Sequence, residues 1–305
     1  MSNSTSILVI GATGKQGGAV IEALLASGTA FNIIAVTRTT SSGSSWALAS
    51  KPHVTVIEGD LSNPDAIFDK ASASASGPVW GVFSVQSNSD DEETQGKKLI
   101  DVAGLHGVSH FVQASGDRGG PVKSERDATN VKNFAAKFEI EKHLQKRTAV
   151  SPQKMTYTIL RPVTFFENLT TDIQGKGFAR MWEQMGAEKK LQMVSTRDIG
   201  WFAADALTHP HSEANHNTGV TLLGDELTQP EANAIFEAVV GRPMAMVPCP
   251  VGSALKFMMK GTVGDMFRWF KEVGYGGDVK MCRERNLAMQ DFGTWLKRSS
   301  PFVQR

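Results

Sequence analysis

Residues 6–18 run Ser6-Ile7-Leu8-Val9-Ile10-Gly11-Ala12-Thr13-Gly14-Lys15-Gln16-Gly17-Gly18. The apolar start reads as a buried strand, the glycines as a tight turn and the stretch beyond as a helix. Val20, Ile21, Leu24 and Leu25 give that helix its apolar face, and Gly28 ends it. The spacing Gly11-x-x-Gly14-x-x-Gly17 differs slightly from the commonest glycine fingerprint, but the physics is shared. Glycines permit the turn and a close backbone approach to a pyrophosphate, which rests on the helix N-terminal amides. An ordinary strand-to-helix turn is the competing reading; the apolar flanks favour the dinucleotide one.

A second apolar run, Phe31 to Thr37, ends at Arg38, about 20 residues past the glycines, where an NAD site places a carboxylate and an NADP site an arginine. No carboxylate stands there, only Thr37-Arg38-Thr39-Thr40 and a serine-rich loop. A guanidinium grips a 2′-phosphate through paired hydrogen bonds. Arg38 therefore favours NADP(H) over a plain solvated arginine.

The remaining strands repeat the pattern. Val54–Ile57, Val79–Val85, His110–Ala114 and Met155–Leu160 alternate with helical stretches, Asn63-Pro64 capping one and residues 94–106 forming another. This order predicts an α/β fold, a Rossmann-type doubly wound parallel sheet. The expected organisation is a nucleotide-binding domain over 1–160 and a smaller, partly interleaved α/β lobe over 161–305. Residues of about 191–223 are expected to return to the sheet. Ligands bind at the carboxyl ends of such strands, which directs attention to Asp60, Gln86, Ser87, Ser115 and Arg161.

With 32 basic and 31 acidic residues the formal charge is +1, which gives no broad attraction to nucleic acid. Cys249 and Cys282 are too few for a disulfide framework or zinc site, and no metal is expected; His209, His211 and His216 flank Pro210 in a turn-like stretch. No signal segment or run of about 18 apolar residues is evident. A cytoplasmic chain without membrane contact is expected. Ala71–Gly77 reads as a flexible connection or frayed helix end. The Gly116–Asn130 stretch reads equally as a lid or a surface excursion.

The helix from about Asn130 to Arg147 carries Val131, Phe134 and Phe138 on one stripe. Lys137, Ile140 and Leu144 share the adjoining one. A lysine in an apolar stripe is costly unless paired or functional. Lys137 thus has two readings: it snorkels to water from the edge of the face, or it serves a site.

Together, Gly11–Gly17, Val36-Thr37-Arg38, Gly59-Asp60-Leu61, Lys137 and the run Arg161-Pro162-Val163-Thr164-Phe165-Phe166-Glu167-Asn168 resemble the NmrA-like family. These are atypical, extended relatives of the short-chain dehydrogenases/reductases, allied to isoflavone-reductase-like proteins. The resemblance runs through nearly the whole chain. It implies cofactor contacts at Gly11, Ala12, Thr13, Gly14, Lys15 and Gln16, at Arg38, at Asp60 and Leu61 beside the adenine, and at Val85, Gln86 and Ser87. It implies further contacts at Lys137 and, near the nicotinamide, at Phe165, Phe166, Glu167 and Asn168.

The wider superfamily transfers hydride with a Tyr-x-x-x-Lys pair. Here Asn133 stands four before Lys137, and neither Tyr157 nor Tyr275 has a lysine four residues on. Two readings follow. The first is an NADP(H)-dependent reductase of a small aromatic or conjugated carbonyl substrate, with Lys137 as the catalytic residue. The second is a catalytically silent NADP(H)-binding redox sensor or transcriptional co-regulator that acts through a protein partner, which extends the location to the nucleus. The reductase is preferred, because the lysine and an apparent substrate lobe remain.

That lobe offers Phe165, Phe166, Phe178, Met181, Trp182 and Met185 as an aromatic pocket, with core packing the safer reading. Ala254–Phe270, rich in methionine and aromatics, carries the same choice. Asp198 is read as the cap of a helix reaching Leu207, and Gly219–Leu223 as a returning strand. Ser115 lacks a nucleophile-elbow motif and is not a hydrolase nucleophile.

Overall fold

The computed structural model describes residues 5–74, 77–150, 155–250, 252 and 263–303. Ala75 and Ser76 of the Ala71–Gly77 stretch, and residues 254–262 of the Ala254–Phe270 stretch, lie outside them. Strands β1 (Thr5–Val9), β2 (Phe31–Thr37), β3 (Val54–Glu58), β4 (Val79–Ser84), β5 (His110–Ala114), β6 (Thr156–Pro162) and β9 (Thr218–Leu222) build one sheet, ordered β3-β2-β1-β4-β5-β6-β9. The registers of β1–β2, β1–β4, β2–β3, β4–β5 and β5–β6 are parallel. The chain reverses direction across the sheet at β1 and β4, so the loops after them open at the switch point where such sheets bind ligands. The predicted doubly wound α/β architecture is present, and its strands are near-continuous apolar runs because both faces are covered.

By its internal contacts the chain separates into two compact units. The first comprises 1–115, 136–161 and 199–220; the second comprises 116–135, 162–198 and 221–305. Residues 116–135, expected within 1–160, thus belong to the second unit. Within the expected returning stretch, 199–220 joins the first unit, whereas β8 (Leu191–Val194) lies between β7 (Thr164–Phe165) and β10 (Asp225–Leu227) in a small separate sheet.

In the first unit, Leu8, Ile34, Val82, Phe111, Ile140 and Leu144 belong to a fully buried cluster that fixes the sheet against its helices. In the second, Phe166, Phe178, Met181, Trp182, Met185, Phe267, Trp269 and Phe270 form another cluster. Those aromatics are core, as burial of an apolar helix face demands.

Three local expectations need adjustment. Helix α4 spans Glu92–Leu105 and so starts two residues before the expected 94. Asp198 is not the cap of α8 (Thr196–Thr208) but lies in its first turn, accepting from the Gln290 amide at 3.0 Å. Ser195 takes the capping role, its hydroxyl accepting from Arg197 N at 3.2 Å. The stretch after Gly116 is pinned at its start: Asp117 Oδ1 accepts from the amides of Gly119, Gly120 and Gly276, and Asp117 Oδ2 from the Thr221 hydroxyl. A short helix, α5 (Pro121–Ser124), follows.

Candidate functional site

Gly11 has a φ of 66°, a left-handed value that a side chain disfavours, and a Cβ there would stand 2.7 Å from Val85 Cγ1. At Gly17 a Cβ would come within 2.3 Å of Gly11 O. These glycines let α1 (Lys15–Ala26) start hard against the turn. Gly14 caps α1 without a side-chain hydrogen bond, and no acidic residue occupies its first turn. No side-chain cap and no acidic residue therefore competes with an anion at the N-terminal end of α1. Thr13, Gly14 and Lys15 are exposed, Gln16 is half-buried and Ala12 is buried.

Arg38 follows β2, exposed, with no hydrogen bond or ion pair among the described residues. Gly59 N donates to Thr37 O at 2.9 Å, which brings the ends of β2 and β3 together beside Asp60. The Asp60 carboxyl sits below its ordinary range, chiefly through hydrogen bonds from Ser62, with the Arg38 charge adding. Leu61 packs half-buried on the first cluster.

After β4, a polar chain threads the sheet's carboxyl edge. The Gln86 amide donates to the Ser84 hydroxyl at 2.7 Å, and Gln113 Nε2 donates to Gln86 Oε1 at 3.0 Å and Ala114 O at 2.8 Å. Ser84, Gln86 and Gln113 are buried, whereas Ser87 is exposed and Val85 half-buried. Glu92 opens α4 seven residues after Val85 and is 1% exposed. Its Oε1 accepts from the Lys137 ammonium. Burial raises the Glu92 carboxyl above its usual range, and Lys137 offsets part of that rise. Lys137 is thus ion-paired rather than snorkelling free.

The same helix, α6 (Lys132–Val150), places Glu141 one turn after Lys137. Glu141 is fully buried and holds Arg161 through Nε, at 3.2 Å to both carboxylate oxygens, and through Nη2 at 2.6 Å. The Ser115 hydroxyl donates to the same carboxylate. Ser115 and Arg161, noted for their positions at strand ends, are joined through a residue that sequence reasoning missed. The i, i+4 spacing from Lys137 was the available signal. Glu92 was missed for a different reason: starting the helix at 94 left it in a loop.

Phe165, Phe166, Glu167 and Asn168 belong to the second unit. Phe166 is buried and stacks on Trp295 at 5.5 Å. The Glu167 carboxylate accepts from Thr196 N and Trp295 Nε1, each at 3.1 Å. Phe165 and Asn168 are half-buried. Asn133 stands one turn before Lys137, and the Tyr275 hydroxyl is buried, hydrogen-bonded to Thr164 at 3.1 Å and held above its ordinary pKa by burial.

The residues present fit a dinucleotide. The glycine turn leaves space that a Cβ would close, and three buried acceptors in the first unit lack hydrogen-bond donors among the described residues: Gln16 Oε1, Gln113 Oε1 and Glu92 Oε2. Unsatisfied buried acceptors are rare enough to mark places where a ligand or water donates.

The sequence profile of the NmrA-like family matches residues 3–295. This chain belongs to the NmrA-like family. An NmrA-like family domain-containing oxidoreductase of Aspergillus hancockii is 30% identical over 171 residues, covering 53% of this chain and 47% of that protein. The chain therefore spans about half the length of this curated relative. The triphenylmethane reductase of Citrobacter sp., solved in complex with NADP(H), matches with a TM-score of 0.71 at 18% identity over 97% of this chain and 99% of that one. The negative transcriptional regulator NmrA, solved in complex with NADP, gives 0.72 at 18% identity over 98% and 96%. At these identities the two structures establish the NmrA-like fold. Among the described residues no helix is long and apolar enough to cross a membrane.

Proposed function

We propose that this NmrA-like chain is an NADP(H)-dependent reductase of a small aromatic or conjugated carbonyl compound. The observation that carries the reading is the Lys137 ammonium, held on the buried Glu92 carboxylate, which opens α4 directly after the loop that begins at Val85. A structural lysine gains more by reaching water than by pairing with a carboxylate that must itself be desolvated.

Bound NADP(H) supplies the hydride. The Gly11–Gln16 turn and the α1 amides hold the pyrophosphate, and Arg38 grips the 2′-phosphate from its exposed position. Asp60 and Leu61 border the adenine, and Val85, Gln86 and Ser87 line the loop after β4. Lys137 donates a hydrogen bond to the substrate oxygen, stabilises negative charge as it develops there and supplies the proton. Relatives named as oxidoreductases support this reading.

The absence of tyrosine four residues before Lys137 favours a second reading, an NADP(H)-binding regulator that acts through a protein partner, in line with the NADP-bound regulator of the same fold. The two separate in one assay. NADPH loss is followed with a panel of enones, quinones and aryl dyes. Substrate-dependent loss that disappears in Lys137→Gln supports the reductase, whereas tight NADP(H) binding without turnover favours the regulator.

A further inference from the structure

The carboxylate of Glu92 is unusual for what it leaves unused. Oε1 accepts from Lys137, while Oε2 is buried with no hydrogen-bond partner among the described residues. A buried acceptor without a donor costs about 1–3 kcal/mol, and more where the group is charged. Apolar side chains at both positions of the pair would avoid that cost, so stability gives no reason to keep a lysine and a carboxylate together here. The neighbouring ions are committed elsewhere: Lys97 bridges Glu93 and Glu139, and Glu141 holds Arg161. Lys137 is therefore the charge that Glu92 serves.

We propose that Glu92 is a positioning residue for Lys137, one that fixes the direction of its ammonium and restores its proton after each transfer. The proposal rests on the reductase reading. When Nζ gives a proton to the substrate oxygen, the N–H bond breaks and its electron pair stays on nitrogen. Glu92 is then a buried anion without a counter-ion. That imbalance draws a proton from solvent hydronium onto Nζ, which releases water and re-forms the pair.

The test reads Lys137 directly. The chain, without added cofactor, is acylated with a succinimidyl acetate at fixed pH, and each lysine is quantified by peptide mass spectrometry. A charge-assisted hydrogen bond to the Glu92 carboxylate holds the Lys137 amine away from the reagent, and a neutral amide holds it more weakly by about 1.4 kcal/mol, so Glu92→Gln is expected to speed acylation of Lys137 about tenfold. Lys98, an exposed lysine on the same helix as Glu92, should keep its wild-type rate. Glu92→Asp, whose carboxylate is withdrawn by one methylene, should fall between wild type and Gln. Should Gln prevent folding, Asp decides alone: a faster rate than wild type supports the proposal, and an equal rate overturns it. No turnover is needed, so a chain that reduces nothing still returns an answer. Turnover accompanied by unchanged Lys137 acylation in both variants overturns the positioning role while leaving the reductase reading intact.

Discussion

The Lys137 ammonium on α6 and the Glu92 carboxylate at the start of α4 form an ion pair whose acid is 1% exposed and whose base is 16% exposed. Removing one member leaves the other unpaired. A Lys137→Ala variant therefore carries a buried, uncompensated carboxylate. Partial exposure of the lysine moderates the penalty, so Lys137→Ala should lose about 1–3 kcal/mol. Denaturant unfolding of Lys137→Met, Glu92→Gln and the double variant measures the coupling. A double variant more stable than the sum of the singles is expected, and strict additivity would contradict a direct pair.

Glu141 and Arg161 lie deeper, at 0% and 1% exposure. Arg161→Met should cost about 3–5 kcal/mol, because Glu141 then loses its counter-ion in a site without water access. Gly219 reports on the same guanidinium: a Cβ there would sit 2.6 Å from Arg161 Nη1. Gly219→Ala should therefore destabilise the chain as well, and a wild-type unfolding midpoint in both variants would contradict the buried pair.

Arg38 makes a sharper prediction about cofactor choice. A charge-assisted hydrogen bond contributes about 1.5–3 kcal/mol, so Arg38→Glu should weaken NADPH binding roughly tenfold to a hundredfold while NADH changes little. Calorimetric titration of both cofactors decides it. Equal losses would remove the 2′-phosphate from this arginine.

His110 gives the fold a pH dependence. Its ring contacts the Thr156 hydroxyl at 2.8 Å and the Thr158 hydroxyl at 3.1 Å. Burial, with smaller contributions from His211 and His216, pushes its pKa down to about 3. The folded value lies below the unfolded one, so the contribution is complete above the unfolded pKa near 6.5 and is lost as pH falls toward 3. Asp198 acts oppositely: burial raises it to about 6, and its contribution is present at low pH and lost as pH rises through that value. Stability is expected to drop from pH 6.5 to 4 by a smaller amount in His110→Asn than in the wild type. Parallel curves would contradict a neutral buried histidine.

The sheet was legible because its strands are runs such as Ile7-Leu8-Val9-Ile10, and the turn because the left-handed backbone at Gly11 favours glycine. Arg38 was legible by position, at the end of β2. Lys137 stood out as a charge in an apolar stripe, but its counter-ion Glu92 is 45 residues away, and one sequence does not reveal such a pairing. The link from Ser115 to Arg161 through Glu141 is hidden for the same reason. The aromatic residues of the second half left a pocket open beside the safer reading of a core, since both need the same side chains. Packing decided for the core at Phe166, Phe178 and Trp182.

The most direct test of the reductase account is deuteride transfer. The chain is incubated with NADPH deuterated at the nicotinamide C4 position and with the enone, quinone and dye panel, and products are read by mass spectrometry. The account predicts one deuterium on carbon in at least one product from the wild type, and none from Lys137→Gln that is folded and still binds NADPH. Tight NADPH binding with no deuterated product from any compound, or undiminished transfer by Lys137→Gln, would contradict it.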